Sequence, residues 1–261
     1  MYPVLIRLGG FEVRSYGVVV AISFLLALWL SAREAKRKGL DPAVVHDFAF
    51  YALFGGIVGA RLYFVVFSRP EYFLQRPWEI LAIWHGGLGI LGGLFGGALV
   101  ALWYCRSRRV SFWRLADVLA PGIILGLSTG ILGCLATGDS YGRPTDVAWA
   151  ITYTDPRALA PLGVALHPVE LYEMAAYLLV FAVVWSLRKA HTADGFTFLV
   201  FLAGYGAARV LVEFYRGNPA TLGFGIPAAQ VFGAALMLMS GVGLALFKQR
   251  RARRAPKSRS S

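Results

Sequence analysis

The chain has 261 residues, of which 57% are hydrophobic and only 15% charged, with a net charge of +12. That balance excludes a disordered chain, and it leaves too few charges to cover a soluble globule of this apolarity. With Cys105 and Cys134 as its only cysteines, it is not a disulfide scaffold either. The class that remains is an all-α polytopic membrane bundle.

Seven apolar stretches are expected to span a bilayer, at about 15–32, 48–68, 86–105, 115–135, 170–187, 196–213 and 226–247. The first lacks a basic leader before it and a small-residue cleavage site after it, so it reads as a retained helix. The expected division is a seven-helix domain over 1–247, with a small periplasmic head at about 136–168, and a basic cytoplasmic tail over 248–261. No repeat of 20–50 residues is visible.

Between the spans, lysine and arginine alternate in density. The 33–38 and 106–114 segments, the Arg188-Lys189 pair and the tail together hold 17 of the 26 basic residues. By the positive-inside rule, these lie in the cytoplasm, and the N-terminus lies outside. The tail is expected to touch anionic lipid heads rather than nucleic acid.

Glycines recur at four-residue intervals, at Gly55 and Gly59, at Gly89, Gly93 and Gly97, and at Gly122, Gly126 and Gly130. In lipid, that spacing lets helix backbones approach closely.

Charges inside the spans are costly and point to a site. Arg61 lies in the second span, and Arg209 and Glu213 lie four apart on one face of the sixth. With this topology all three fall in the outer half, level with Tyr16 and close to Tyr205. The long loop between spans four and five adds Asp139, Arg143, His167, Glu170 and Glu173. Two intramembrane arginines without a matching pair of deep acids suit an anionic head group such as a phosphate. The alternative is a helix-locking Arg209–Glu213 pair, with Arg61 snorkelling to the surface. No metal or cofactor is expected, because no His-x-x-x-His or Cys-x-x-Cys spacing occurs.

Several of these segments are similar to one family. The runs Gly138-Asp139-Ser140-Tyr141-Gly142-Arg143-Pro144-Thr145, His167-Pro168-Val169-Glu170-Leu171-Tyr172-Glu173 and Tyr205-Gly206-x-x-Arg209-x-x-Val212-Glu213-Phe214-x-Arg216 resemble motifs of the bacterial prolipoprotein diacylglyceryl transferases. Ser15-Tyr16-Gly17, Gly59-Ala60-Arg61-Leu62 and Gln230 also fit, in the same order along nearly the whole chain. The resemblance implies an inner-membrane enzyme. It would move the diacylglyceryl group of phosphatidylglycerol to the lipobox cysteine of a preprolipoprotein, leaving a thioether and releasing glycerol phosphate. By the same resemblance Arg61, Arg143 and Arg209 would hold the phosphate, Tyr16 and Tyr205 would orient the head group, and Glu213 would fix Arg209. Asp139 joins the catalytic set, and His167 and Glu173 join the substrate-binding set. A monomer is expected.

The chain also departs from the family pattern. Leu91 stands where the family has histidine or tyrosine, Ile131 where it has arginine, Cys134 where it has asparagine, and Asp139 where it has a longer acid. These changes leave a second reading open: a divergent homologue that binds phospholipid or lipoprotein precursor, with weak or altered transferase activity.

Overall fold

The computed structural model describes residues 4–8, 11–189, 193–222 and 225–254. It is an all-α membrane protein with eight α-helices and three short antiparallel strand pairs among the described residues. Six helices are long and apolar enough to cross a bilayer: α1 (Ser15–Arg37), α2 (Pro42–Tyr63, continued to Ser68 by one π-helical turn), α5 (Phe112–Thr137), α6 (Val169–Leu187), α7 (Phe196–Glu213) and α8 (Ala228–Arg254, apolar to Gln249). The third expected span forms helix α4 (Ile90–Ser107) but is not among those six. The short α3 (Pro70–Gln75) precedes it.

Several basic residues expected in loops instead continue helices. Lys36 and Arg37 form the last turn of α1, and Arg106 lies in the last turn of α4. Cations there face the negative end of the helix dipole, so the helices run on past the apolar stretch. The tail is helical to Arg254; the remainder of the 248–261 segment lies outside the described residues.

The chain divides into two compact units. One comprises Met1–Ser31 with Asp117–Ser261, and the other Ala32–Ala116. Within the smaller unit, α2 and α4 meet backbone to backbone. A Cβ on Gly59 would fall 2.4 Å from the Gly92 oxygen, and one on Gly96 would fall 2.2 Å from the Gly55 oxygen. The α4 partners are therefore Gly92 and Gly96. Gly97, expected in that stripe, meets nothing within 4 Å, because 3.6 residues per turn rotates it off the contact face.

In the larger unit, Gly122 and Gly126 of α5 pack on Ser31, Ala27 and Ser23 of α1, and Thr129 donates to Ser23 at 2.9 Å. Gly206 of α7 and Gly233 of α8 pack with equal closeness. A buried core of Ala120, Ile124, Tyr177, Val180, Val184 and Phe201 joins α5, α6 and α7. Asp117, two percent exposed, accepts hydrogen bonds from the backbone of Gly195 and Phe198, at 2.9 and 2.8 Å. It thereby satisfies donors that the first turn of α7 would leave unpaired.

Candidate functional site

The larger unit gathers four charges where α6 begins and α7 ends. Glu173 lies one turn into α6, and its side chain divides between two arginines. Oε1 accepts from Arg209 Nη1 at 2.5 Å, and Oε2 accepts from Arg216 Nη2 at 2.8 Å. Arg216 Nε donates to Glu213 Oε2 at 3.0 Å, and Arg209 Nη2 stands 3.6 Å from that same oxygen. The four groups close a ring of two cations and two anions. Tyr177, four residues after Glu173 on the same face, donates to Glu173 Oε1 at 2.6 Å, and Tyr205 stacks on its ring at 5.5 Å.

The expectation that the deep arginines lack matching acids is therefore corrected: Glu173 and Glu213 are both buried against Arg209. A helix-locking Arg209–Glu213 pair is also only part of the arrangement, because Glu173 is the closer partner. The reason is that the first turn of α6 brings a loop acid down beside α7, a packing relation that sequence spacing cannot show. The ring is not closed to further ligands. The Arg209 side chain is 21% exposed, and its Nη2 sits beyond hydrogen-bond distance of Glu213.

The head is built against the end of α7. Gly138, at φ +68, ends α5 with its N–H on the Cys134 oxygen at 2.7 Å. The Tyr141–Thr145 segment then runs between two neighbours. Arg143 N donates to Tyr215 O at 2.8 Å and Gly217 N to Tyr141 O at 3.0 Å on one side. His167 N donates to Arg143 O and Thr145 N to Ala165 O, both at 3.0 Å, on the other. Gly142 has no room for a side chain: a Cβ there would lie 2.2 Å from the His167 oxygen.

That backbone fixes Arg143. Its Nε donates to Arg216 O at 3.2 Å, while the rest of this exposed side chain reaches outward. His167 packs edge-on against Tyr215, and its Nδ1 lies 3.2 Å from the hydroxyl of Tyr172, which accepts from Trp149 Nε1 at 2.7 Å. The Asp155–Arg157 pair is a surface contact; hydrogen bonds from Arg157 hold the Asp155 carboxyl down to about 2.

Two further acids, Glu170 and Asp139, lie near one another and near Arg216 of the ring. Glu170, fully buried, accepts from the Tyr153 hydroxyl at 3.0 Å through Oε1, while its Oε2 has no hydrogen-bond partner among the described residues. Asp139 Oδ1 is buried and likewise unpartnered, and its backbone oxygen accepts from Asn218 Nδ2 at 3.0 Å. Burial, and then the charge on Glu170, pushes the Tyr153 hydroxyl above the usual tyrosine range. Tyr16, at the start of α1, lies against Gly133 of α5 and is an electrostatic neighbour of Cys134 and Asp139.

Arg61 belongs to the smaller unit and has a different environment. It is 6% exposed, and all five of its N–H donors go to backbone oxygens. Nε reaches Ile80 O at 2.9 Å. Nη1 reaches Gly86 O at 2.5 Å and Gly87 O at 3.1 Å, and Nη2 reaches Glu79 O at 2.5 Å and Ala82 O at 3.1 Å. The snorkelling alternative is thus corrected: the guanidinium turns inward, between the Phe64 and Phe73 rings.

Of the expected residues, Arg209, Glu213 and Glu173 meet directly, and Tyr205 joins them through Tyr177. Arg143 joins through the Arg216 backbone. Leu91 opens α4 with its apolar side chain 59% exposed. Ile131 and Cys134 lie one turn apart on α5. Among residues not singled out as site candidates, Arg216 is the most consequential. Its signal was present, three residues after Glu213 and seven after Arg209, the spacing of one helical face. Tyr153 and Tyr177 gave no signal in the sequence, since only packing brings them to the two glutamates. No group of three or more His, Cys, Asp or Glu side chains among the described residues is placed to hold a metal ion.

A polytopic helical protein with six membrane-length helices and an arginine–glutamate ring where α6 begins and α7 ends is an integral membrane protein. Residues 3–246 match the family model for prolipoprotein diacylglyceryl transferase, and the chain belongs to that family. It is 36% identical over 255 residues to the phosphatidylglycerol–prolipoprotein diacylglyceryl transferase of Bordetella parapertussis, covering 95% of each chain. The protein of the same name from Aromatoleum aromaticum is 38% identical over 253 residues, covering 93% of each, and that from Trichormus variabilis is 36% identical over 229 residues, covering 85% of this chain and 81% of its own.

Proposed function

We propose that this chain transfers the diacylglyceryl group of phosphatidylglycerol to the cysteine thiol of a prolipoprotein. The relatives' names state that reaction over nearly the same length of chain. The observation that carries it into the site is the state of Arg209. It is anchored on Glu173 through one nitrogen, partly exposed, and loosely held at the other. Such a group can exchange Glu213 for a phosphate oxygen without losing its anchor.

In the reaction the thiol gives up its proton, its sulfur bonds to the terminal glycerol carbon of the diacylglyceryl group, and the carbon–oxygen bond to phosphate breaks. Glycerol phosphate leaves. Arg209 stabilises the charge that grows on the departing phosphate, and the outward end of Arg143 is the second cation suited to it. Asp139, whose Oδ1 has no hydrogen-bond partner among the described residues, is the acceptor for the thiol proton. Tyr16 and Tyr205 orient the glycerol head, with His167 and Glu173 shaping its surroundings. Cys105 and Cys134 take no covalent part, since the attacking thiol is the substrate's.

The chain crosses the inner membrane seven times, with α4 as the third span, its N-terminus periplasmic and its basic end against anionic lipid in the cytoplasm. The lysine and arginine distribution supports that orientation, and the chain acts as a monomer. A reporter active only in the cytoplasm, fused after Ser261, should give signal, and one active only in the periplasm should not. Expression in cells depleted of their own transferase should restore growth and prolipoprotein thioether formation. Failure of both, in protein that reaches the membrane, would reject the assignment.

A further inference from the structure

The smaller unit contains a segment that the transfer chemistry does not use. Between the π-helical turn ending at Ser68 and the start of α4 at Ile90, the chain makes only α3 and two short 3-10 turns, at Pro77–Leu81 and Ile83–His85. Both ends join helices of the membrane unit, so the segment must lie along the bilayer face. A helix from Pro42 to Ser68 is roughly 40 Å long at 1.5 Å per residue, enough to cross a core of roughly 30 Å and reach the head-group layer.

Its surface is unlike that of an ordinary polar loop. Leu74 is 82% exposed, Trp78 69% and Leu81 77%, and Trp84 is also exposed. Such a run of large apolar side chains in water would be an association liability. At the head-group boundary it is the expected composition, with tryptophan at the interface and arginine beside it, here Arg69 and Arg76.

What holds this surface in shape is Arg61. The five oxygens that its guanidinium takes belong to Glu79, Ile80, Ala82, Gly86 and Gly87, all within the segment. Phe73 of α3 closes over it, 5.2 Å from the ring centre. Gly87, at φ +78, fits only because it has no side chain: a Cβ there would sit 2.9 Å from Arg61 Nη1. A cation with every donor spent on carbonyls has none left for a phosphate unless the segment unfolds.

We propose that Arg61 is a positioning residue that holds the 70–87 segment as an interfacial lip. Through Trp78 and Leu81 the lip rests in the outer head-group layer of the bilayer, the layer in which the head of the two-chain lipid substrate lies. This replaces the phosphate-binding role that the family resemblance implies for Arg61, and it rests on the transfer reading above.

The test uses the full chain in nanodiscs containing phosphatidylglycerol. Lipid brominated near the head-group end of its acyl chains should quench the emission that wild type loses on Trp78→Phe. Arg61→Lys keeps the charge but cannot span five carbonyls, so in it that quenching should at least halve. The KM for phosphatidylglycerol should rise about tenfold with kcat within about twofold, while inhibition by soluble glycerol phosphate stays unchanged. Trp78→Ser with Leu81→Ser leaves the Arg61 contacts intact and should raise KM by a similar factor, so the idea stays testable if Arg61→Lys fails to fold. Weakened glycerol phosphate inhibition in Arg61→Lys would make Arg61 a phosphate clamp and overturn the proposal, as would absence of Trp78 quenching in wild type. A wild-type chain without transfer activity would count against the transfer reading, and the quenching alone would then decide whether the lip meets lipid.

Discussion

Glu173 and Arg216 meet at 2.8 Å although they are 43 residues apart, and this contact ties the first turn of α6 to the chain leaving α7. Because the other oxygen of Glu173 holds Arg209, one carboxylate aligns both cations of the ring. Removing that carboxylate and removing Arg209 should therefore have different consequences.

Glu173→Gln leaves two cations, Arg216 buried and Arg209 partly so, facing one anion. Breaking a buried pair by removing one partner costs about 3–5 kcal/mol. We expect thermal unfolding in detergent to fall accordingly, with activity lost alongside folded protein. Arg209→Ala removes the more exposed member and leaves Glu173 paired with Arg216. Its melting temperature should fall less, while transfer should drop by about a hundredfold or more. Arg209→Lys should recover only part, because a point charge cannot serve both carboxylate and phosphate as a fork does. If both arginine variants lost fold and activity together, Arg209 would be a helix lock and nothing more.

Gly142→Ala should disrupt the head while sparing the helices. The added carbon would press on the backbone oxygen of His167, at 2.2 Å, and backbone cannot rotate away as a side chain can. The expected result is a normal helical signal, a proteolytic site newly open near 141–167, and loss of transfer. Unchanged protection of that segment would show that the head tolerates the shift.

Tyr153→Phe removes the 3.0 Å hydrogen bond to Glu170 Oε1 and leaves both carboxyl oxygens without a side-chain donor among the described residues. Such a loss costs about 1–3 kcal/mol. The variant also bears on alkaline stability. The Tyr153 hydroxyl is raised above its ordinary 10.0, so its contribution is complete below that pH and declines as pH rises through the higher folded value. Wild type should lose head stability above about pH 10 more steeply than Tyr153→Phe. Parallel curves would place the alkaline transition elsewhere.

The two apolar departures can be reversed. Ile131→Arg restores a cation on α5 one turn from Cys134 and should raise the transfer rate modestly, whereas Leu91→His alone should change it little. An unpaired arginine in a membrane helix costs on the order of 1–3 kcal/mol even when it snorkels. A fall in thermal stability without any rate gain would mean that the site has been remodelled around isoleucine. Full wild-type activity, unimproved by either change, would mean that other side chains have taken over both roles, with Arg143 the first to examine.

Composition and periodicity alone determined that this chain is helical and lies in a membrane, because apolar runs of this length are driven out of water and, in lipid, must pair their backbone groups within the segment. Charge placement drew attention to Arg61, Arg209 and Glu213, since charges inside such runs are costly, and the family resemblance added Asp139 and Arg143. Partnership was decided only by tertiary structure. Arg61 and Arg209 look alike along the chain, each an arginine inside an apolar span, yet one spends every donor on its own loop and the other keeps a nitrogen loosely held. Spacing within a helix predicts neighbours three or four residues away, as with Glu213 and Arg216. It says nothing of Glu173, which reaches Arg209 from the neighbouring helix, or of Gly92 and Gly96, which the rotation of α4 sets backbone to backbone against α2 while Gly97 meets nothing within 4 Å. Those contacts depend on how helices pack, and packing depends on all their surfaces at once.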